Sequence, residues 1–257
     1  MNKPGSTVIS PATAATKKQE GFGETVRTVV YTLIVALVIR TFLFEPFNIP
    51  SGSMIPTLLV GDYLFVSKYS YGYSKHSVPF SLIPFSGRIF EREPKRGDVI
   101  VFKLPSDGKT DYIKRLIGLP GDKVRMQDGR LFINGQLIER EKVDEVAYRD
   151  TDGNIRRPIH YKETLPGGKV HDIYEEGDNR RLDNTAEFEV PPGCYFMMGD
   201  NRDNSVDSRA DVGPVPAENL VGRAEFLFFS TDGSASIWEI WKWPFAIRFN
   251  RLFSGIN

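Results

Sequence analysis

Two serines stand two positions apart in a segment rich in proline and glycine, PSGSMIPTL, at residues 50–58. Pro50 and Pro56 exclude a regular helix across this segment, and Gly52 allows a tight turn between Ser51 and Ser53. A hydroxyl held in place by such a turn can act as a nucleophile if a neighbouring group removes its proton. The same composition is also typical of an ordinary turn, so the segment alone leaves both interpretations open.

A lysine in a strand-like segment is the candidate base, because none of the histidines lies in a promising context. Lys114 belongs to DYIKRLIGLPGD, where apolar residues surround it. On a strand it would share a face with Tyr112 and Leu116, and we expect one of the adjacent pair Lys114 and Arg115 to point inward. Burial penalises the ammonium form and lowers the pKa of a lysine, as a general base at neutral pH requires. The alternative is a structural lysine that reaches solvent from a strand edge.

A third polar segment, GDNRDNSVDSRAD at residues 199–211, is too specific for an ordinary loop. An EF-hand alignment that starts at Asp203 places Ser208 where glycine is needed and Pro214 where glutamate is needed, so a calcium loop is excluded. The remaining interpretation is a hydrogen-bonded scaffold. In it Ser205 can orient an amine, and Asp207 and Arg209 can form a buried ion pair.

The composition narrows the classes of function. The chain has 257 residues, 40% of them hydrophobic, and equal numbers of basic and acidic residues, 33 each, so no basic excess favours nucleic acid. The single cysteine, Cys194, cannot form an intrachain disulfide and is interpreted as a small buried residue. No histidine has a second histidine or a cysteine at metal-ligand spacing, so we expect no zinc site.

One segment is typical of a membrane anchor. Residues Thr28–Phe44 read TVVYTLIVALVIRTFLF, with Arg40 as the only charge, and this length suffices for a short membrane span. A buried core helix would show a polar stripe, and a cleaved signal peptide would be followed by a small-x-small site; this run shows neither. Basic residues precede the span and Glu45 follows it, so we expect the amino terminus in the cytoplasm and residues 45–257 outside. Arg40 is interpreted as an anchor residue that snorkels to the interface.

The rest of the chain predicts a mainly β protein. Residues 1–27 are small, polar and aperiodic, and we expect a disordered cytoplasmic tail. Short β-type runs punctuated by glycine and proline follow the anchor, including DVIVFKL, RLFINGQLI and AEFLFFS, which predicts antiparallel sheets. The more charged stretch at 124–192 is interpreted as an inserted, more exposed β subdomain within the domain at 45–257.

Four ordered motifs behind an anchor resemble those of type I signal peptidases, membrane-bound serine proteases that remove signal peptides from exported proteins. They are PSGSMIPTL, KRGDVIVFK, DYIKRLIGLPGD and GDNRDNSVDSR, and together with the anchor they extend over most of the chain. Some members of the family carry two amino-terminal spans, whereas this chain shows one. The resemblance implies the family's fold, mainly antiparallel β-sheets with an inserted subdomain. It also implies a bacterial inner (plasma) membrane location, with the catalytic domain on the periplasmic side.

The resemblance also implies roles for individual residues. Ser53 matches the nucleophile and Lys114 the general base, while the Ser51 hydroxyl and the Ser53 N–H match the oxyanion hole. Ser205 matches the serine that hydrogen-bonds the lysine, supported by Asp207 and Arg209. The family needs no metal or cofactor and prefers small residues before the cut. Met54 and Ile113 are our candidates for lining the substrate pocket. The implied partners are signal-peptide-bearing preproteins and the lipid bilayer.

Two other functions and one segment stay open at this point. A self-cleaving repressor-type protease shares serine-lysine chemistry but is usually soluble, and an inactive membrane-tethered peptide-binding module would lack one of Ser53 and Lys114. The carboxyl-terminal segment SIWEIWKWPFAIRFNRLF is rich in tryptophan, phenylalanine and cations. It either lies at the membrane interface or fills the β core, and the sequence favours neither.

Overall fold

A long apolar helix opens the described part of the chain. The computed structural model describes residues 22–77, 86–236 and 238–256, and helix α1 spans Phe22–Phe42. At 1.5 Å per residue α1 is ~30 Å long, and by length and composition it can cross a membrane. The helix begins and ends earlier than the predicted span at 28–44. Of the predicted tail at 1–27, residues 1–21 lie outside the described residues and 22–27 belong to α1.

Strands dominate the remaining described residues. Among the described residues, those up to Leu37 and those from Val38 onward form separate compact units, and the strands all belong to the second. They are β1 (Phe44–Asn48), β2 (Asp62–Ser67), β3 (Val99–Lys103), β4 (Asp111–Gly118), β5 (Lys123–Gln127), β6 (Arg130–Ile133), β7 (Gln136–Leu137), β8 (Glu139–Glu145), β9 (Tyr148–Arg149), β10 (Ile155–Arg156), β11 (Ile159–Thr164), β12 (Val170–Glu175), β13 (Phe188–Glu189), β14 (Cys194–Met198), β15 (Val215–Pro216) and β16 (Leu220–Ser230).

The largest sheet has seven strands in the order β1-β2-β16-β3-β4-β14-β15, all in antiparallel pairs. Its central strand β3 reads VIVFK and is buried over Val99–Phe102, because apolar clusters cover both faces. Val99 and Val101 pack in one cluster with Met54 and Leu58, and Ile100 and Phe102 pack in another with Leu116. The prediction of a mainly β, antiparallel fold is confirmed.

Three smaller sheets lie in the stretch predicted as an insertion. They are the four-stranded sheet β13-β5-β6-β7, the three-stranded sheet β12-β11-β8 and the hairpin β9-β10. Val124, Met126, Leu131 and Ile133 alternate toward one apolar cluster, as period-2 patterning predicts. Ile117 of β4 belongs to the same cluster, so the four-stranded sheet shares its core with the large sheet. The stretch 124–192 therefore contains nearly all of these small sheets.

The carboxyl-terminal segment leaves its aromatic rings in solvent. It contains the short helix α2 (Trp243–Ala246), and five of its aromatic side chains are between 60% and 87% exposed: Trp238, Trp241, Phe245, Phe249 and Phe253. The segment is attached to the large sheet through Arg251, which donates to both carboxylate oxygens of buried Asp62 at 3.1 and 2.6 Å. The alternative that these five rings fill the core is therefore wrong.

Candidate active site

The turn that carries Ser53 is fixed by backbone hydrogen bonds. The Ile55 N–H donates to the Gly52 carbonyl at 3.2 Å, and the Leu58 N–H donates to the Met54 carbonyl at 2.9 Å. Met54 and Leu58 are fully buried, so the turn is attached to the core directly beside the serine. Ser53 itself is 8% exposed, whereas Ser51 lies at the surface with its Oγ 3.5 Å from the Ser53 Oγ.

Strand β4 brings Lys114 to this serine. The Lys114 Nζ lies 2.6 Å from the Ser53 Oγ and 3.0 Å from the Ile113 carbonyl oxygen. It also lies 5.4 Å from the centroid of the Tyr112 ring, so Lys114 and Tyr112 share a face as strand alternation predicts. Lys114 and Ser53 are 61 positions apart in sequence, and the fold holds them within hydrogen-bond distance.

Burial makes the Lys114 ammonium a stronger acid than that of an ordinary lysine. The side chain is 3% exposed, and desolvation lowers its pKa to about 8, although the negative charges of Asp207 and Asp200 act in the opposite direction. A sizeable fraction of the amine is therefore neutral near physiological pH. A neutral amine within hydrogen-bond distance of a hydroxyl can accept its proton.

The next residue on β4 is buried as well, which corrects the expectation that only one of Lys114 and Arg115 points inward. Arg115 is fully buried and donates to both carboxylate oxygens of Asp200, at 2.8 and 2.7 Å. The strand is covered on both faces, so its alternating side chains are buried in both directions. A bidentate ion pair offsets the desolvation of a guanidinium in such a place.

The polar segment at 199–211 packs against the serine turn. Asp207 is fully buried and accepts from the Arg209 Nε and Nη2, both at 2.9 Å. Burial alone would raise the pKa of Asp207, but the Arg209 guanidinium holds it below its ordinary value. The predicted ion pair is thus present, and the Gly199 N–H donates to Asp207 at 3.0 Å.

Ser205 is buried in this segment without the partner expected from the resemblance. It is 7% exposed, and within the described part of the chain its Oγ has no partner at full hydrogen-bond geometry. The hydroxyl still lies close enough to Asp207 to help lower the pKa of that carboxylate. Gly199 allows this arrangement, because a Cβ at that position would overlap both the Ser205 side chain and the Ser53 carbonyl oxygen. The close approach of the two segments therefore depends on glycine at position 199.

An open cavity of about 560 Å³ lies beside the serine and the lysine. Its lining includes the three consecutive residues Ser51–Ser53 and, from β4, Asp111–Lys114. Ile113 therefore lies where the sequence predicted, whereas Met54 packs in the core beneath the turn and is not part of the lining. Thr151, Asn204 and Val206 also line the cavity. Asn204 and Val206 belong to the polar segment at 199–211, whereas no pattern in the sequence pointed to Thr151.

One acidic cluster lies away from the serine. Carboxylate oxygens of Glu175, Asp183 and Asp203 approach one another within 4.8 Å. Burial, with repulsion from Asp203, raises the pKa of Glu175 to about 9, although the Arg140 guanidinium lies 3.5 Å from one of its oxygens. Such a cluster does not by itself identify a metal site, and the expectation of a metal-free reaction stays a prediction.

Sequence comparison with known proteins gives evidence on the family of this chain that does not depend on the geometry of the site. Residues 22–229 match the model of the family described as signal peptidase, peptidase S26. Signal peptidase I of Rickettsia typhi is 44% identical over 243 residues, which are 88% of this chain and 90% of the relative. Signal peptidase I of Rickettsia akari is 42% identical over 95% of each chain. A solved signal peptidase I from Enterococcus faecalis covers 51% of this chain and 97% of its own, with 27% identity and a TM-score of 0.31.

Proposed function

Because the chain belongs to the S26 family of signal peptidases, we propose that it removes signal peptides from exported preproteins with Ser53 as nucleophile and Lys114 as general base. It is a membrane-anchored protease of the hydrolase class, as its family implies. The observation that carries the proposal of a serine-lysine pair is the 2.6 Å distance between the Lys114 Nζ and the Ser53 Oγ, both of them buried.

The proposed reaction is acyl transfer with a lysine base. Neutral Lys114 takes the Ser53 proton, and the Ser53 oxygen attacks the carbonyl carbon before the cleavage site. The tetrahedral oxyanion accepts hydrogen bonds from the Ser51 hydroxyl and the Ser53 N–H. The lysine then gives its proton to the leaving amine, and a water deprotonated by Lys114 hydrolyses the acyl-enzyme. Every proton transfer uses this one amine, and no step requires a metal or cofactor.

Specificity for small residues before the cut fits the lining of the cavity. Ile113 lies directly beside Lys114 on β4, and its side chain would limit the depth of a pocket next to the scissile carbonyl. Met54 would contribute only as the buried floor of the turn, since it is fully covered. We therefore propose Ile113 as the stronger pocket residue of the two.

Replacing Ile113 by alanine should widen tolerance to valine before the cut, measured with paired peptide substrates that carry alanine or valine at that position. An unchanged preference for alanine over valine would exclude this role.

The membrane is the second proposed partner. Helix α1 serves as a single-pass anchor of the inner (plasma) membrane with its amino terminus in the cytoplasm, because basic residues precede it. Protease added outside spheroplasts should then digest the region after α1 and spare the tail. Protection of that large region would contradict the orientation.

The exposed aromatic rings of the carboxyl-terminal segment suit a membrane interface. We propose that they rest on the bilayer, where Trp238 and Trp241 would leave water. Their fluorescence should shift to shorter wavelength when anionic vesicles are added to the domain without its anchor. The double variant Trp238→Ala and Trp241→Ala should lose most of that shift, and an unshifted wild-type spectrum would exclude the contact.

Cleavage of a preprotein by the purified full-length chain in detergent tests the proposal. Wild-type protein and the exposed control Ser106→Ala should cleave after the signal peptide, and Ser53→Ala should not. An inactive peptide-binding module would bind the preprotein without cutting it. A soluble repressor-type protease would cut its own chain instead, so the position of the new amino terminus separates the candidates.

A further inference from the structure

The peptide unit between Gly52 and Ser53 is held from its carbonyl side. The Gly52 oxygen accepts from the Ile55 N–H at 3.2 Å and from the Asn201 Nδ2 at 2.9 Å. The Asn201 backbone N–H also donates to the Ser53 carbonyl at 3.1 Å. Asn201 thus binds the carbonyls on both sides of the Ser53 Cα, and it does so as a residue that is 1% exposed.

This contact fixes the direction of one particular N–H. In a planar trans peptide the C=O and N–H point in opposite directions, so a donor fixed to the Gly52 oxygen aims the Ser53 N–H the other way. Within the described residues the Ser53 N–H donates to no protein group. It is therefore available to a substrate. Donation to the carbonyl oxygen also polarises the amide and strengthens its N–H as a donor.

A residue of the hairpin β9-β10 holds Asn201 in turn. The Asn201 Nδ2 donates its second hydrogen to the Tyr148 hydroxyl at 2.8 Å. The Tyr148 ring lies against Tyr174, with centroids 6.0 Å apart, and the hairpin turn is braced by Asp150, which accepts from the Asn154 N–H at 2.8 Å. Both hydrogens of the amide are thus used, one on the serine turn and one on the hairpin.

We infer that Asn201 is a positioning residue for the oxyanion hole, and that Tyr148 from the inserted hairpin holds Asn201 in the orientation that aims the Ser53 N–H. The inference rests on the proposed function, since it assigns the Ser53 N–H to the oxyanion. It gives the inserted region a part in catalysis without contact with the reacting atoms. A transition-state interaction of this kind changes the rate and leaves ground-state binding unchanged.

Asn201→Ala, Asn201→Asp and Tyr148→Phe test the inference, with Tyr174→Phe as the matched control that removes a hydroxyl from the neighbouring ring. We expect Asn201→Ala to lower kcat/KM by roughly 100-fold, the cost of a small misplacement, through kcat and not KM. Asn201→Asp should lose at least as much, because a carboxylate oxygen would face the Gly52 oxygen. Tyr148→Phe should lose roughly 3- to 10-fold, the factor for one hydrogen bond.

Two inhibitors distinguish positioning from general structural support. The Ser53 oxygen adds to the carbonyl carbon of a peptide aldehyde while the Ser53 proton passes to Lys114. The former aldehyde oxygen then lies as an oxyanion in the hole. The corresponding peptide amide binds without adding. The variants should weaken binding of the aldehyde in parallel with the fall in kcat and leave binding of the amide unchanged.

The inference fails if Asn201→Ala keeps the wild-type kcat, or if aldehyde and amide weaken equally. Should the Asn201 variants not fold, Tyr148→Phe decides alone, and equal rates for it and Tyr174→Phe overturn the inference. Wild-type enzyme that does not cleave at all would overturn the proposed function instead.

Discussion

Two neighbouring basic residues on β4 are both buried, but one has a carboxylate partner and the other has neutral partners. The Arg115 guanidinium meets both oxygens of Asp200, and the Lys114 amine meets a hydroxyl and a carbonyl oxygen. Burial disfavours the charged form of both groups. At Arg115 a bidentate carboxylate supplies a full opposite charge. At Lys114 the nearest partners are neutral and the carboxylates of Asp207 and Asp200 act from farther away, so the pKa falls to about 8.

This contrast distinguishes the basic residues that hold the site in place from the one proposed to take part in the reaction. A buried cation with a carboxylate partner fixes its surroundings, as Arg202 does with Glu163 and Arg209 with Asp207. A buried lysine with neutral partners can lose its proton at an accessible pH. Each of these ion pairs includes a residue of the segment at 199–211, so together they hold that segment in place. The proposed base is the cation among them that is free to change its protonation state.

The largest expected effect comes from making position 114 resemble position 115. Lys114→Arg keeps the charge, but a guanidinium cannot be deprotonated at working pH. We expect cleavage to fall by roughly 10² to 10⁴-fold, the contribution of general-base catalysis, or by as much as in Ser53→Ala if the pair acts as a unit. Preprotein cleavage measures this.

Lys103→Arg is the matched control, since Lys103 pairs with Asp111 near the cavity. It should keep most of the activity. Circular dichroism must show that Lys114→Arg folds. A folded Lys114→Arg protein with a near wild-type rate would remove the distinction between the two cations.

The second effect concerns stability at Arg115. Arg115→Met leaves Asp200 buried without its bidentate partner, and breaking a buried pair in this way costs about 3–5 kcal/mol. The free energy of unfolding in detergent, measured with urea, should fall by that amount at neutral pH. Arg115→Met with Asp200→Asn should recover part of the loss. An unchanged free energy for the single variant would mean that this pair contributes little.

The third effect is a gain in stability, opposite in sign to the loss expected at Arg115. Lys114 has a pKa of about 8 in the folded chain, against 10.5 for an ordinary lysine, so folding at pH 7 costs about 3 kcal/mol at 1.36 kcal/mol per pKa unit. The cost is fully present below pH 8 and disappears as pH rises to 10.5, because the unfolded chain then loses its extra proton. Lys114→Met should therefore stabilise the protein at pH 7.

The difference between Lys114→Met and wild type should narrow between pH 8 and 10.5. Unfolding experiments from pH 7 to 10.5 give the free-energy difference between the two proteins at pH 7 and its decrease with pH. A Lys114→Met variant less stable than wild type at pH 7 would show that the amine stabilises the fold, as Arg115 is expected to do.

The sequence predicted the parts of this site that depend on short-range patterns. The turn chemistry around Ser53 and the strand alternation at Lys114 are local properties, and the structure brings the two side chains together as the motif order led us to expect. The antiparallel fold likewise follows from short apolar runs between glycines and prolines. The ion pair of Asp207 and Arg209 joins residues two positions apart and was also predicted.

The contacts that were missed join distant segments. Arg115 and Asp200 are 85 positions apart, and Asn201 and Tyr148 are 53 apart, so no local pattern predicts either contact. The expected bond from Ser205 to Lys114 is absent among the described residues, where the Lys114 amine contacts Ser53 and the Ile113 carbonyl oxygen. Exposure of the terminal aromatic rings depends on how the segment packs, which composition does not reveal.

The pKa of Lys114 is the quantity on which the serine-lysine proposal depends most directly. It can be measured by following the ε-carbon resonance of 13C-labelled lysine with pH in the full-length protein, assigned by its loss in Lys114→Arg. The account predicts a titration midpoint near 8, matched by a rise of kcat/KM through the same pH. A midpoint at or above about 10.4, the value of a free lysine, would contradict it.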